Sequence, residues 1–344
     1  MNRGMSSAEV NDRDDRSAPI PVVLDVDTGT DDAGALLLAA TFPSLELVAA
    51  FATWGNCGRD QAARNTLVIL EAAGRPDVPV HLGGVGPSGP APVRRGADVV
   101  MGSDGLGDAG LADPVGSPDP EPAAEALVRL AAEAPGQLTL VALAPLTTIA
   151  AALALDPELP GRLHHLVVMG GAVSVGGNAT PAAEANVGHD PMAAARVVSA
   201  FGAPGRLASG RRPCLVPLDV TLRSPLTIDE LQVLADSPVA GAGLLHKVWQ
   251  TIWPTGVLET GREGVWPAHD LLATWCVVDP TLCQWVTAPL LVDTGGSAAW
   301  GATVVDRRAA GAADAGGGGL WDIAIRVDAE RYRAAVRDWL SGVP

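Results

Sequence analysis

The chain has 344 residues, 48% of them hydrophobic, with 39 aspartates and glutamates against 23 lysines and arginines, a formal net charge of −16. That length and apolar content can bury a large core, and no tandem repeat or charge-poor linker divides it, so one domain is expected. The acidic balance disfavours nucleic acid polymers and anionic membranes, and with lysine only at Lys247 and the arginines scattered the sequence shows no obvious cationic cradle for phosphate, so a neutral small substrate fits better than a phosphorylated one.

Residues 1–18 are polar, carry both charge signs and lack the apolar centre of a signal peptide. They read as a disordered leader ahead of a domain over 19–344, and the protein reads as cytoplasmic. From Ile20 onward apolar β-like runs alternate with alanine- and leucine-rich helical runs, the pattern of an α/β fold: an open, mostly parallel, Rossmann-like sheet with helices on both faces, in a single domain. Strands are predicted at Ile20–Asp25, Leu45–Ala52, Val78–Leu82, Gln137–Leu143, Leu163–Met169 and Cys214–Leu218. Helices are predicted at Asp31–Thr41, Arg59–Ala73, Glu121–Ala134, Leu146–Leu155, Pro191–Phe201 and Pro225–Leu234, and an amphipathic helix closes the chain at Asp328–Leu340. Residues 83–119, rich in Gly, Pro and Asp, are too long for an idle connection and read as a loop or lid at the mouth of a site. The glycine-rich residues 309–319, between two β-like runs, read as a turn. Cys57, Cys214, Cys276 and Cys283 have no CxxC spacing and read as buried thiols. No stretch is long and apolar enough to span a bilayer.

The densest chemistry is Asp25-Val-Asp27-Thr-Gly-Thr-Asp31-Asp32, where the first strand hands over to the first helix. Carboxylates so crowded raise one another's pKa unless a cation neutralises them, so the run reads as a metal site. Other polar motifs fall at strand ends, where such sheets gather ligand-binding residues. Trp54-Gly-Asn56 offers a short amide that either bonds a ligand or closes a turn. After Met169, the two amides Asn178 and Asn186 and the carboxylate Glu184 form a mixed donor and acceptor set suited to sugar hydroxyls, or else a solvated loop. His269-Asp270 opens a helical run, as chemistry or as a helix cap.

Taken in order, these motifs resemble the inosine-uridine preferring nucleoside hydrolase family. Its DxDxGxDD is matched by Asp25, Asp27, Gly29, Asp31 and Asp32; its downstream Asn by Asn56; its GPLTN-like turn by residues 144–148. Its MGG…NxTxxAExN segment falls on residues 169–186, and its HD pair on His269 and Asp270. The resemblance implies a Ca²⁺ held by Asp27, Asp32, Asp270 and the carbonyl of Leu143, an all-oxygen set suited to a hard cation. It implies Asp31 as general base, and Asn56, Met169, Asn178, Glu184 and Asn186 around the ribose. His269 is the candidate to protonate or hydrogen-bond the leaving base, with a backbone-bonded structural histidine as the alternative. The implied reaction is hydrolysis of a ribonucleoside through an oxocarbenium-like transition state, by a homodimer or homotetramer.

The chain departs from the family pattern in three places. Met101 stands where many members have a His before the GxDGLG-like loop. Thr148 replaces the Asn that ends the GPLTN turn, and no tyrosine lies between Leu244 and His269. Trp249 and Trp253, four apart, read as core, whereas Trp54 and Trp266, each beside a motif, are candidates to stack on the base. Two competitors carry other chemistry. Asp25-x-Asp27-x-Thr also fits a haloacid-dehalogenase-like phosphatase, though that leaves the Asn178–Asn186 cluster unexplained. A non-catalytic nucleoside- or ribose-binding protein would keep the metal without turnover.

Overall fold

The computed structural model describes residues 18–93, 101–308 and 319–343. Apart from Ala18, the leader expected over residues 1–18 lies outside them, as do residues 94–100 of the loop and nearly all of the glycine-rich turn.

The first strand, β1 (Ile20–Val26), shows why the sheet is central. Val22, Leu24 and Val26 enter one apolar cluster and Val23 the cluster on the opposite face, so the strand is buried on both sides, as its continuous apolar run predicts. It passes through the turn at Thr28 and Gly29 into α1 (Thr30–Thr41), in which residues 30–39 are all buried. A helix apolar all round must be enclosed, and α1 packs between β2 (Leu45–Ala52), α2 (Arg59–Ala72), α9 (Ala242–Ile252) and α11 (His269–Val278). The chain continues through β3 (Val80–Leu82), α3 (Ala123–Glu133), β4 (Thr139–Ala142), α4 (Thr147–Leu155), β5 (His165–Met169), α5 (Ala185–His189) and α6 (Pro191–Phe201). Then come β6 (Cys214–Val216), α7 (Leu218–Thr221), β7 (Leu226–Thr227), α8 (Ile228–Ala235), α10 (Gly256–Thr260) and β8 (Val265–Trp266). The last elements are β9 (Cys283–Val292), β10 (Thr303–Val305), β11 (Gly319–Val327) and α12 (Ala329–Leu340).

Among the described residues the main sheet has nine strands in the order β10-β9-β11-β6-β5-β4-β1-β2-β3. From β11 to β3 every pairing is parallel; β9 pairs antiparallel with both β10 and β11. The mostly parallel open sheet expected from the apolar rhythm is therefore present, with an antiparallel edge that the rhythm did not announce. Strand order reverses between β1 and β4, since β2 and β3 lie on one side of β1 while β4, β5 and β6 extend from the other. The gap outside the carboxyl ends of two such strands is where an open α/β sheet accepts a ligand.

The expected boundaries shift where local chemistry intervenes. The strand expected to start at Val78 begins after Pro79, which has no N–H for a ladder. The strand expected over Cys214–Leu218 stops at Val216, where Pro217 opens α7. The helix expected from Pro225 starts at Ile228, because Leu226 and Thr227 pair with Trp266 and Val265 and Thr227 forms a capping box with Glu230. Cys57, Cys276 and Cys283 are buried thiols and Cys214 is half-buried. No helix among the described residues is long and apolar enough to cross a membrane.

Candidate active site

The switch point is lined by acid. Asp27 leaves β1, Asp31 and Asp32 open α1, and Asp270 lies in the first turn of α11, which packs on α1; all four are buried. Carboxylate oxygens of Asp31, Asp32 and Asp270 lie within 4.8 Å of one another. Asp27 borders this triplet through Asn56: its Oδ2 accepts from the Asn56 backbone N–H at 2.7 Å and its Oδ1 from the Asn56 side-chain amide at 3.0 Å. The same amide donates to Asp32 Oδ2 at 3.3 Å, which also accepts from the Gly29 N–H at 2.8 Å. Asn56 is therefore more than a turn residue, since its side chain spans two of the acids.

Burial and mutual repulsion set the electrostatics. Desolvation, followed by repulsion from Asp32, raises Asp25 and Asp27 well above the usual carboxylate range. Burial and then Asp31 raise Asp32 to about 7. Asp270 is raised well above its ordinary value by burial, then by Asp31, Asp32, Asp27 and Glu184. Asp31 is raised chiefly by burial, with nearby His269 acting in the opposite direction. Asp31 Oδ1 and Asp32 Oδ1 are buried and, among the described residues, find no hydrogen-bond partner. Orphaned acidic oxygens that face like charges are what a hard cation satisfies, so this donor set fits a divalent metal.

Close backbone approach builds the cluster. A Cβ on Gly55 would stand 1.8 Å from Asp27 Oδ2, so only glycine lets this strand end pass the acid. On the other side, a Cβ on Gly29 would meet Met101 Sδ at 2.5 Å. Met101 thus roofs the turn with an apolar contact. Asn65 of α2 ties loop to turn, donating to the Thr28 carbonyl at 3.0 Å and the Asp104 carbonyl at 2.8 Å.

The third cluster gathers beside the acids. Asn186 donates to the Leu143 carbonyl at 2.8 Å and to the Met169 carbonyl at 3.2 Å, so the ends of β4 and β5 meet at one amide. Glu184 caps α5 and accepts from the backbone N–H groups of Gly171, Asn186 and Val187. Burial still raises its pKa against those donors. Asn178 is exposed and accepts from the Ala185 N–H at 2.9 Å.

His269 is buried, and both ring nitrogens have side-chain partners: Nδ1 with Thr221 Oγ1 at 2.7 Å and Nε2 with Glu259 Oε2 at 2.9 Å. Burial pulls its pKa down, but Glu259, Asp31 and Glu184 together outweigh that and leave it raised. The tryptophans divide. Trp249 is core, its indole N–H on the Thr30 carbonyl at 2.8 Å, and Trp253 is buried too. Trp54 donates to Thr147 Oγ1 at 3.2 Å, stands edge-on to His189 at 5.3 Å, and lines a cavity of about 380 Å³ with Cys57, Val85, Pro87 and Pro90. Trp266, 1% exposed, is enclosed in the core.

Two features had no sequence signal. Glu259 and Thr221 come from helices of five and four residues, too short for periodicity, and reach His269 only through the tertiary fold. Asp190 accepts from the backbone and hydroxyl of Ser88 and from Thr147, pinning the Gly/Pro-rich segment beside Trp54.

A doubly wound sheet with buried acids at its switch point is an α/β architecture carrying a donor set that could hold a metal ion. The profile of the inosine-uridine preferring nucleoside hydrolase family matches residues 22–334, and the chain belongs to that family; it is a nucleoside hydrolase, an N-glycosidase. It is 34% identical over 280 residues to a probable uridine nucleosidase of Oryza sativa subsp. japonica, covering 80% of this chain and 79% of the relative. It is also 34% identical over 289 residues to a pyrimidine-specific ribonucleoside hydrolase of Photobacterium profundum, covering 83% and 89%. Among solved structures, a plant nucleoside hydrolase superposes with a TM-score of 0.84 at 30% identity, covering 94% of this chain and 99% of that one. A purine-preferring ribonucleoside hydrolase from Gardnerella vaginalis gives 0.82 at 28% identity, covering 94% and 98%. Family membership sets aside the phosphatase reading and the reading without turnover.

Proposed function

We propose that the protein hydrolyses the N-glycosidic bond of a ribonucleoside in a Ca²⁺-dependent reaction, releasing free base and ribose. The observation that carries this reading is the buried Asp31, Asp32 and Asp270 triplet, with oxygens within 4.8 Å, at the end of the strands where an open sheet takes its ligand. Asp27, Asp32, Asp270 and the Leu143 carbonyl would hold the cation. Bound there, Ca²⁺ supplies a grip for the ribose diol and lowers the pKa of an adjacent water.

The remaining chemistry belongs to side chains. Asp31, buried beside the proposed ligands, takes the proton from the attacking water. Asn56, Asn178, Glu184 and Asn186 bind the sugar hydroxyls, and Met169 lines the sugar face. As the glycosidic bond lengthens, C1′ gains positive charge, and the surrounding carboxylates favour that state over the neutral ground state. His269 hydrogen-bonds or protonates the departing base. Trp54, which borders the cavity, is the ring available to the base, whereas Trp266, expected beside it from the sequence, is enclosed in the core and does not reach it.

The test is ribose release from uridine, cytidine, inosine and adenosine, with and without added Ca²⁺ after removal of bound metal. Uridine comes first, because relatives at 33–34% identity are uridine and pyrimidine nucleosidases. Release of ribose that depends on added Ca²⁺ is the expected result. Turnover undiminished in metal-stripped protein would overturn the calcium assignment, and no release from any of the four would overturn the substrate class.

A further inference from the structure

We propose that Asp190 is the positioning residue of the base side: its carboxylate fixes the Trp54 ring through the Thr147 hydroxyl and the Gly/Pro-rich wall of the same cavity through Ser88. The inference rests on the proposed hydrolytic reading, with Trp54 as the ring that meets the base.

Asp190 stands between α5 and α6 and caps α6, its Oδ1 accepting from the Ala193 N–H at 3.0 Å. Capping needs no more than that. Yet this buried carboxylate accepts as much from outside the helix: Oδ1 from the Ser88 hydroxyl at 2.8 Å, and Oδ2 from the Ser88 N–H at 2.7 Å and the Thr147 hydroxyl at 2.8 Å. The direction of the relay is fixed. A carboxylate only accepts and an indole N–H only donates, so the Thr147 proton is committed to Asp190 and the hydroxyl lone pairs receive Trp54 Nε1–H at 3.2 Å. His189, the residue before Asp190, stands edge-on to the indole at 5.3 Å, so the junction of α5 and α6 reaches the ring both directly and through Thr147. The wall is held at two points. The Trp54 N–H donates to the Gly84 carbonyl at 3.1 Å, and Ser88 is bound to Asp190 four residues further on.

Between ring and wall lies the cavity of about 380 Å³, lined by Trp54, Cys57, Val85, Pro87 and Pro90 with glycine and alanine. Among the described residues no charged or amide side chain lines it. A flat base seated there is held by ring contact and fit, so its affinity depends on where the two walls stand, and one purine or pyrimidine is told from another only weakly. Ribose, bound by other residues, does not depend on that spacing.

The experiment compares KM for uridine and inosine with inhibition by free ribose, which has no base. Parent turnover is established first, so failure of the hydrolytic reading is seen separately. W54A is expected to raise KM at least about fivefold; an unchanged KM would remove Trp54 from the base and overturn the proposal with it. D190N replaces one accepting oxygen by a donor, and T147V keeps the side-chain shape without the hydroxyl. Each is expected to raise KM about threefold to tenfold on both nucleosides, with kcat and the ribose inhibition constant within about twofold of the parent. T147S restores the hydroxyl and is expected to match the parent, and W54A/T147V is expected to have the KM of W54A alone. A parent-like KM in T147V, equal losses for nucleoside and ribose, or an additive double variant would each overturn the proposal. Should D190N and T147V fail to fold, S88A, at an exposed position, carries the test: a raised nucleoside KM with unchanged ribose inhibition supports the positioning role, and a parent-like KM refutes it.

Discussion

Replacing Asp32 by Asn makes the metal-free protein more stable, although it removes a proposed metal ligand. Burial and Asp31 raise the Asp32 carboxyl from an ordinary 3.8 to about 7. A raised carboxyl contributes its full stability below the unfolded value and loses it as pH rises through the folded value, because the unfolded chain then binds fewer protons. At about 1.4 kcal/mol per pH unit, the raised carboxyl lowers stability by about 1.5 kcal/mol at pH 5, where the unfolded chain has ionised and the fold holds its proton, and by about 4 kcal/mol above pH 7. Asn carries no charge and keeps an oxygen for the Gly29 N–H. In protein stripped of metal on a chelating resin, D32N should therefore exceed the parent in denaturant unfolding by a margin that widens from pH 5 to pH 8. Comparing the two proteins at each pH cancels the buried His165 and His189, whose pKa values burial lowers to about 3 and about 4. Added Ca²⁺ should reverse the order at pH 8, stabilising the parent and not D32N. A margin that stayed constant between the two pH values would show that Asp32 is not the strained carboxyl the burial argument requires.

Three further outcomes follow from the same geometry. Asp31→Ala should reduce kcat about 10²–10⁴-fold, the range for loss of a general base, while calcium content stays at the parent level; kcat within tenfold of the parent would remove Asp31 from that role. Gly55→Ala forces a methyl to within 1.8 Å of Asp27 Oδ2 and should weaken calcium binding, whereas Gly58→Ala, with nothing within 4 Å of the added carbon, should behave as the parent. Calcium titration by calorimetry checks both, and parent-like affinity in G55A would argue against Asp27 as a ligand.

Particular residues explain which parts of the fold could be read in advance. Strand β1 and helix α1 were legible because Val22 to Leu24 and Ala33 to Ala39 are continuous apolar runs buried on every side. Strand β9 was not, since its exposed Gln284 and Thr287 interrupt any apolar run, and its antiparallel partners lie downstream of it. The acidic turn, Asn56 and the His269-Asp270 pair were legible as ordered motifs, and the structure brings them together across 243 residues from Asp27 to Asp270. Met101 as a roof over Gly29 and Glu259 as the partner of His269 depend on loop and short-helix placement, which no periodicity encodes. Trp54 and Trp266 looked alike beside their motifs, yet one borders a cavity and the other is interior.

Both borders of the main sheet are truncated. At one side β3 has three residues and a bridge from Asp119 to His81 covers part of its outer rim; at the other β10 also has three residues. So little free ladder disfavours growth of the sheet from molecule to molecule. Self-association would have to proceed through helical faces or loops, leaving the crevice at the carboxyl ends of β1 and β4 unobstructed by any strand-to-strand joint.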